Sequence, residues 1–188
     1  MARVILVSGG GRSGKSSHAL QLADRYERRA FIATAEPLDE EMRRRIARHR
    51  RERDGAFLTV EEPLDLAGAI RSLPADVGVA VVDCLTMWLA NLMCRGAADL
   101  IDFPELEALL GAVTDAPCDL ILVTNEVGMG IVPADKQTRQ YRDVLGRLNQ
   151  EVAAAADEVV LMVCGIPMRL KEKADGDPAE DDRGGRSG

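Results

Sequence analysis

Five short runs of apolar residues, rich in valine, isoleucine and leucine, recur along this chain of 188 residues. Polar residues do not alternate with the apolar ones, which is typical of parallel strands that are covered on both faces. The predicted strands are residues 3–8, 30–34, 77–83, 120–125 and 158–164. The short segment 57–60 is a candidate for an additional strand.

Patterns with helical periodicity separate these apolar runs. The predicted helices are residues 15–28, 36–53, 64–72, 85–95 and 135–156. Because strands and helices alternate, we predict an α/β fold with a mostly parallel sheet, right-handed crossovers and helices on both faces. We assign residues 1–173 to this domain. Residues 174–188 are rich in charges and turn formers without apolar periodicity, so we predict a disordered tail.

Composition and charge narrow the class of protein. Hydrophobic residues make up 46% and charged residues 29%, as in ordinary soluble domains. The 24 basic and 31 acidic residues give a net charge of −7, which argues against a nucleic-acid partner. Four cysteines without a Cys-x-x-Cys pair, together with two histidines, predict neither a zinc site nor disulfides. No apolar run predicts membrane insertion. We therefore expect a cytoplasmic protein with reduced thiols.

A glycine-rich segment between the first predicted strand and the first predicted helix matches G-x-x-x-x-G-K-[ST], the phosphate loop (P-loop) of nucleotide-binding enzymes. Its residues are Gly9, Gly10, Gly11, Arg12, Ser13, Gly14, Lys15 and Ser16. In such a loop the backbone N–H groups and the helix N-terminus face phosphate oxygens. Lys15 is predicted to reach the terminal phosphates of a purine nucleoside triphosphate, and the Ser16 hydroxyl to bind Mg²⁺.

Asp83 ends the third apolar run. An acid at the carboxyl end of a buried strand is where P-loop enzymes orient Mg²⁺ or a water bound to it. The alternative is that Asp83 caps the following helix, and the two roles are compatible.

The second predicted helix is crowded with basic residues, a pattern that most often marks only a solvated face. Leu38, Met42 and Ile46 form an apolar stripe on it, and His49 continues that stripe three residues later. The stripe predicts that His49 lies at the edge of a buried face, where it is a candidate nucleophile. The alternative is a packing role, which we also predict for His18. Seven arginines that could neutralise a triphosphate surround His49 on this helix: Arg43, Arg44, Arg45, Arg48, Arg50, Arg51 and Arg53.

Asn125 and Glu126 leave a predicted strand at the same sheet edge as the phosphate loop and Asp83, where α/β sheets bind ligands. Gly128 and Gly130 follow and would permit a close approach or a flexible lid. A polar strand exit followed by a glycine-rich turn is the equally open alternative.

Six segments together resemble the bifunctional adenosylcobinamide kinase/adenosylcobinamide-phosphate guanylyltransferase family of cobalamin biosynthesis. These segments are residues 7–16, 32–35, 41–49, 59–66, 82–92 and 123–133. The phosphate loop alone is shared by many enzymes. The order of D-C-L-T-x-W-L-x-N-L and T-N-E-V-G-x-G-I-V-P is far more restrictive, and the resemblance extends from about residue 4 to residue 171.

The resemblance implies two reactions. ATP or GTP phosphorylates the aminopropanol hydroxyl of adenosylcobinamide, and GTP then donates GMP to that phosphate, releasing pyrophosphate. It further implies that His49 takes up GMP covalently and that the enzyme is a homotrimer. The nucleotide contacts that it implies are residues 9–16, Thr34, Arg50, Arg51, Glu52, Arg53, Glu61 or Glu62, and Asp83.

Two other functions remain open from the residues alone. One is a kinase that transfers only the terminal phosphoryl group, with His49 structural. The other is a nucleotide-dependent switch or assembly protein without a transferase substrate.

Overall fold

The structure, a computed structural model, describes residues 2–52, 55–96 and 104–172. Within these ranges the chain forms seven strands and six helices. The strands are β1 (Val4–Gly9), β2 (Arg29–Ala33), β3 (Leu58–Glu61), β4 (Val79–Asp83), β5 (Asp119–Val123), β6 (Glu158–Val163) and β7 (Ile166–Glu172). The helices are α1 (Lys15–Ala23), α2 (Glu40–Glu52), α3 (Leu66–Arg71), α4 (Leu85–Cys94), α5 (Pro104–Thr114) and α6 (Lys136–Ala155).

All seven strands belong to one sheet, in the order β3-β2-β4-β5-β1-β6-β7. Every pair among the first six is parallel, and β7 pairs antiparallel with β6 at the edge. The predicted α/β fold with a mostly parallel sheet is confirmed. The additional strand that we predicted near residues 57–60 is β3.

The central strands are buried on both faces because each side of the sheet carries helices. On β1, Val4 and Leu6 pack into a large apolar cluster with α3, α4, α5 and α6. Ile5 and Val7 point the other way, into a smaller cluster with α1. This two-sided burial is why the strands read as continuous apolar runs.

Two predicted helices are shorter than expected. Helix α1 ends at Ala23 instead of residue 28, and α2 begins at Glu40 instead of residue 36. Asp39 sets the later start, because its carboxylate accepts a hydrogen bond of 2.7 Å from the N–H of Met42. An aspartate in this position caps a helix and so fixes where it begins.

Helix α5 and strand β7 were not predicted. Helix α5 begins with Pro104 and has Glu105 in its first turn, both of which favour a helix N-terminus. Every residue of β7 is exposed, so this strand lacks the buried apolar run by which the others were found. The predicted tail, residues 174–188, lies outside the described residues. Among the described helices, none combines the length and apolar character that crossing a membrane requires.

Candidate nucleotide site

The phosphate loop follows β1 and can form only with glycine at its first position. Gly9 has φ 147°, and a Cβ added there would lie 2.5 Å from the carbonyl oxygen of Met162. Gly14, with φ 95°, occupies the N-cap position of α1. The Lys15 side chain is buried, and its Nζ donates a hydrogen bond of 2.6 Å to the carbonyl oxygen of Gly10. The loop is therefore closed on itself beneath the space that phosphates would fill.

Neighbouring strands support the loop from both sides. The N–H of Glu126, just after β5, donates to the carbonyl oxygen of Gly9 at 3.1 Å. The N–H of Gly165, in the β6–β7 turn, donates to the carbonyl oxygen of Ser13 at 3.1 Å. The Ser13 hydroxyl is buried with no hydrogen-bond partner among the described residues. An orphaned buried donor at this point fits an anion such as phosphate.

Asp83 ends β4 and lines the same cavity as Ser16 of the loop. The N-cap position of α4 is Cys84, so the alternative prediction that Asp83 caps this helix is wrong. A carboxylate and a hydroxyl suit Mg²⁺, which usually binds one or two protein oxygens together with phosphates and water. The described residues contain no cluster of three or more histidine, cysteine or acidic side chains that could hold a metal by themselves.

A buried threonine, Thr34, holds the backbone next to Asp83. It follows β2, the neighbour of β4 in the sheet. The Thr34 hydroxyl donates to the carbonyl oxygen of Cys84 and accepts from its N–H, both at 2.8 Å. Burial, with a smaller effect of Asp83, raises the pKa of the Cys84 thiol to about 12. The thiol is therefore neutral near pH 7 and adds no negative charge where phosphates would bind.

One cavity of about 640 Å³ joins the phosphate loop to α2. His49 is half-buried and lines it, together with Lys15 and Asp83. The lining also includes Arg12, Ser13, Gly14, Ser16, Met42, Arg43, Ile46, Arg48, Arg50, Glu61 and Asn125. Five cationic and two acidic side chains in this lining give the cavity the charge balance that suits a polyanion.

The apolar stripe of α2 faces this cavity and not the core. Met42 and Ile46 line the cavity beside His49, while Leu38 precedes the helix and is 70% exposed. None of the α2 side chains that the structure describes belongs to either core cluster. The prediction that the stripe marks a buried face is therefore wrong. Helix α2 lies at the carboxyl edge of the sheet, where its apolar side covers the cavity.

The two adjacent glutamates that the sequence left undecided point to different places. Glu61 lines the cavity and forms an ion pair with Arg50 of α2. The Glu62 carboxylate instead accepts hydrogen bonds of 2.9 Å from the N–H groups of Leu64 and Asp65, in the segment before α3.

The remaining candidate residues have varied positions. Thr34 is fully buried below the cavity. Arg51 is exposed and is not among the lining residues, and its Nε donates to a backbone carbonyl of its own helix. The backbone of Glu52 ends α2, and Arg53 lies outside the described residues. Gly9, Gly10 and Gly11 shape the loop without lining the cavity.

Sequence reasoning missed the buried amide that connects these parts. The Nδ2 of Asn91 in α4 donates to the carbonyl oxygens of Thr34, at 2.7 Å, and Pro63, at 3.1 Å. It thereby joins the exit of β2 to the segment after β3, which carries Glu61. The available signal was an asparagine within an otherwise strongly apolar helix.

Comparisons with known proteins agree on one family. Residues 5–170 match the family model described as "Cobinamide kinase / cobinamide phosphate guanyltransferase". The chain is 44% identical over 167 residues to the bifunctional adenosylcobalamin biosynthesis protein CobP of Pseudomonas aeruginosa, covering 88% of this chain and 96% of that protein. It is 39% identical over 180 residues to the bifunctional adenosylcobalamin biosynthesis protein CobU of Escherichia coli K12, covering 89% and 99%.

Solved structures agree at the level of the fold. The P4 protein of bacteriophage phi6, solved in complex with ADP, aligns with a TM-score of 0.50 at 17% identity, covering 93% of this chain and 56% of that one. The sheet and loop are thus those of a P-loop NTPase fold. With a family model that matches nearly all of the described chain and two relatives near 40% identity, the chain belongs to the cobinamide kinase/cobinamide phosphate guanyltransferase family.

Proposed function

We propose that this protein phosphorylates adenosylcobinamide and then transfers GMP to the product through a covalent intermediate on His49. The observation that carries the proposal is the shared cavity, which His49 and the phosphate loop both line. A triphosphate anchored at Lys15 would extend towards α2, where Arg43, Arg48 and Arg50 line its path. Positive charge along that path stabilises the phosphates and the charge that develops during transfer.

The kinase step uses the terminal phosphoryl group of ATP or GTP. The acceptor hydroxyl oxygen forms a bond to the γ-phosphorus, the bond to the bridging oxygen breaks, and the nucleoside diphosphate leaves. Lys15 and the loop N–H groups hold the phosphates in line for this displacement. Mg²⁺, held by Ser16 and Asp83, supplies charge neutralisation at the phosphates when bound.

The guanylyl step consists of two successive displacements at the α-phosphorus of GTP. A His49 ring nitrogen attacks that phosphorus and pyrophosphate leaves, which gives a phosphorus–nitrogen bond. A phosphate oxygen of the acceptor then attacks the same phosphorus and releases His49. Two displacements allow pyrophosphate to depart before the bulky acceptor must reach the phosphorus.

We also propose that Glu61, and not Glu62, contacts the nucleotide, since Glu61 lines the cavity and Glu62 binds backbone N–H groups elsewhere. Thr34 and Asn91 then act as positioning residues below the cavity floor. The homotrimer and the cytoplasmic location stay predictions, and light scattering during gel filtration measures the former.

The test follows the label of GTP. Protein incubated with GTP labelled at the α-phosphate should gain label that is lost in acid and kept in base, and GTP labelled at the γ-phosphate should leave none. His49→Asn should abolish this label yet still phosphorylate cobinamide. The chain has two histidines, so His18→Asn on α1 is the matched control and should label normally.

Undiminished label on His49→Asn would remove His49 from the mechanism. Absence of label on the unmodified protein, with ADP or GDP as the sole nucleotide product, would leave a kinase alone.

A further inference from the structure

A second cavity lies on the opposite face of the sheet and takes no part in the nucleotide site. We call it the α6–β7 groove. It has a volume of about 790 Å³ and is bounded by α6, by β6 and β7, and by the loop of residues 126–132. Leu6 and Ser8 of β1 form part of its floor, on the side of the sheet away from α1.

The groove and the nucleotide cavity meet at the carboxyl edge of the sheet, where β5 ends. Asn125 lines the nucleotide cavity, and its neighbour Glu126 lines the groove. Two hydrogen bonds hold this strand exit: Asn125 donates its N–H to the Thr86 hydroxyl at 2.7 Å, and its carbonyl oxygen accepts from Asn149 at 3.0 Å. The N–H of Glu126 donates to the carbonyl oxygen of Gly9, so the backbone of Glu126 is fixed beside the first residue of the phosphate loop.

The Glu126 carboxylate is oriented by its own loop. Its Oε1 accepts a hydrogen bond of 2.7 Å from the N–H of Gly128. No residue that the structure describes donates a hydrogen bond to its other oxygen, and Glu126 is half-buried, so that oxygen can accept a proton from a ligand. A carboxylate that lines the groove, one residue after the Asn125 that lines the nucleotide cavity, suits a general base for an acceptor hydroxyl bound in the groove.

The walls of the groove combine apolar and hydrogen-bonding groups. Met129 and Val132 on one rim and Leu170 on the other are exposed apolar side chains. Between them the lining includes Arg142, whose side chain is only 20% exposed, and Gln150. Such a surface suits a large, mostly apolar ring that carries amide side arms.

From these features we propose that the α6–β7 groove binds the corrinoid acceptor, cobinamide, and that Glu126 is the base of the kinase step. The ring lies along the groove and its aminopropanol arm crosses the sheet edge beside Glu126. The proton of the acceptor hydroxyl passes to the Glu126 carboxylate as the oxygen bonds to the γ-phosphorus and the nucleoside diphosphate leaves. This inference rests on the proposed function, since it assigns the acceptor site of that same enzyme.

Gly146 on α6 gives the sharpest test of the groove. It lines the groove, and a Cβ added there meets no atom within 4 Å, so a leucine side chain there would begin in open space. Cobinamide absorbs visible light, and its binding is measured by equilibrium dialysis without any turnover. Gly146→Leu should weaken cobinamide binding about tenfold, because it occupies the site. Ala155→Leu, at the exposed end of the same helix, is the matched control and should bind normally.

Binding of cobinamide to Gly146→Leu as tight as to the unmodified protein overturns the groove assignment. If that variant instead changes its oligomeric state in light scattering while its cobinamide affinity is unchanged, the groove is an interface between copies, and the assignment is equally wrong. Protein that labels His49 from GTP but retains no cobinamide also overturns it, and leaves guanylyl transfer standing.

Glu126→Gln tests the base separately. It should lower kcat of cobinamide phosphorylation about 100-fold, the usual contribution of a general base, with little change in cobinamide affinity. Label on His49 from GTP should be unchanged, because that step involves no acceptor proton. An unchanged kcat, or an equal loss in both steps, would refute the assignment of Glu126.

Discussion

The phosphate loop and helix α2 are two walls of one cavity, yet they are attached to the protein in different ways. The loop extends from β1, which is buried along its whole length, and its Lys15 is buried as well. None of the α2 side chains that the structure describes enters a core cluster. The Arg50–Glu61 ion pair connects α2 to β3 at the edge of the sheet, and its two side chains are 55% and 57% exposed.

Because of this difference, we expect substitutions in the two walls to affect the stability of the fold and the rate of guanylyl transfer differently. An exposed ion pair contributes on the order of 0–1 kcal/mol, whereas burial of a single large apolar side chain contributes about 1.5–3 kcal/mol. Changes at the buried or closely packed positions of the loop should therefore alter both nucleotide binding and the fold. Changes in α2 should alter guanylyl transfer while the fold keeps its stability.

The largest effect is expected for Lys15→Ala. Removing the ammonium group from the phosphates should lower both cobinamide phosphorylation and His49 labelling by about 100-fold or more. Both rates are measured with labelled GTP. Lys136→Ala, at the exposed start of α6, should leave both unchanged. A Lys15 variant that loses only one of the two reactions would show that the loop does not serve both.

Gly9→Ala should destabilise the fold itself. Its methyl group would lie 2.5 Å from the carbonyl oxygen of Met162, at a φ that favours glycine. We expect a loss of about 2 kcal/mol in the free energy of unfolding, measured in urea. At Gly10 an added Cβ meets nothing within 4 Å, so Gly10→Ala should keep the stability of the unmodified protein. Equal stability of the two variants would contradict the close contact.

Glu61→Gln should affect transfer more than stability. Loss of the ion pair with Arg50 loosens the end of α2 that carries His49. At saturating nucleotide, where loss of the proposed Glu61 contact no longer lowers occupancy of the site, we expect the labelling rate to fall about fivefold, equivalent to about 1 kcal/mol, with the kinase rate nearly unchanged. The control is Asp76→Asn, which breaks a comparably exposed ion pair with Arg28, away from the cavity. A drop in both variants would mean that the effect is not specific to α2.

The smallest effect, and the most direct comparison, comes from two helix caps. Asp39 caps α2 and Asp135 caps α6, each through a hydrogen bond of 2.7 Å to a backbone N–H. Asp39→Ala should lower the free energy of local opening of α2 by about 1 kcal/mol and so speed its hydrogen exchange. Global stability should not fall. Asp135→Ala should lower global stability, because α6 contributes Leu145 and Leu148 to the core. Global destabilisation by Asp39→Ala would show that α2 is coupled to the core after all.

The sequence predicted those elements whose burial produces a recognisable pattern of apolar residues along the chain. Continuous apolar runs marked the central strands, and the glycine and lysine spacing marked the loop, since both patterns follow from local backbone requirements. Strand β7 shows no such apolar pattern, because all of its residues are exposed. The stripe of Met42 and Ile46 showed that one side of α2 avoids water. It could not show whether that side meets a core or a cavity.

The two glutamates mark a different limit. Successive side chains of a strand point to opposite faces, so a shift of one residue exchanges the roles of Glu61 and Glu62. The register of β3 against β2, which pairs Glu61 with Ala33, is a long-range property that no local pattern contains. The same holds for Asn91, whose two acceptors lie 57 and 28 residues away along the chain.

The position of β1 has a consequence for synthesis of the protein. Strand β1 precedes the other described strands in the chain and leaves the ribosome before them, yet its neighbours in the sheet are β5 and β6, and the turn after β6 bonds to the phosphate loop. A nascent chain that already contains the whole glycine-rich motif therefore lacks β5 until residue 123 has emerged, and lacks β6 until residue 163 has emerged. Because such distant pairings form slowly, nucleotide can assist only the last stage of folding, after translation of the sheet is complete.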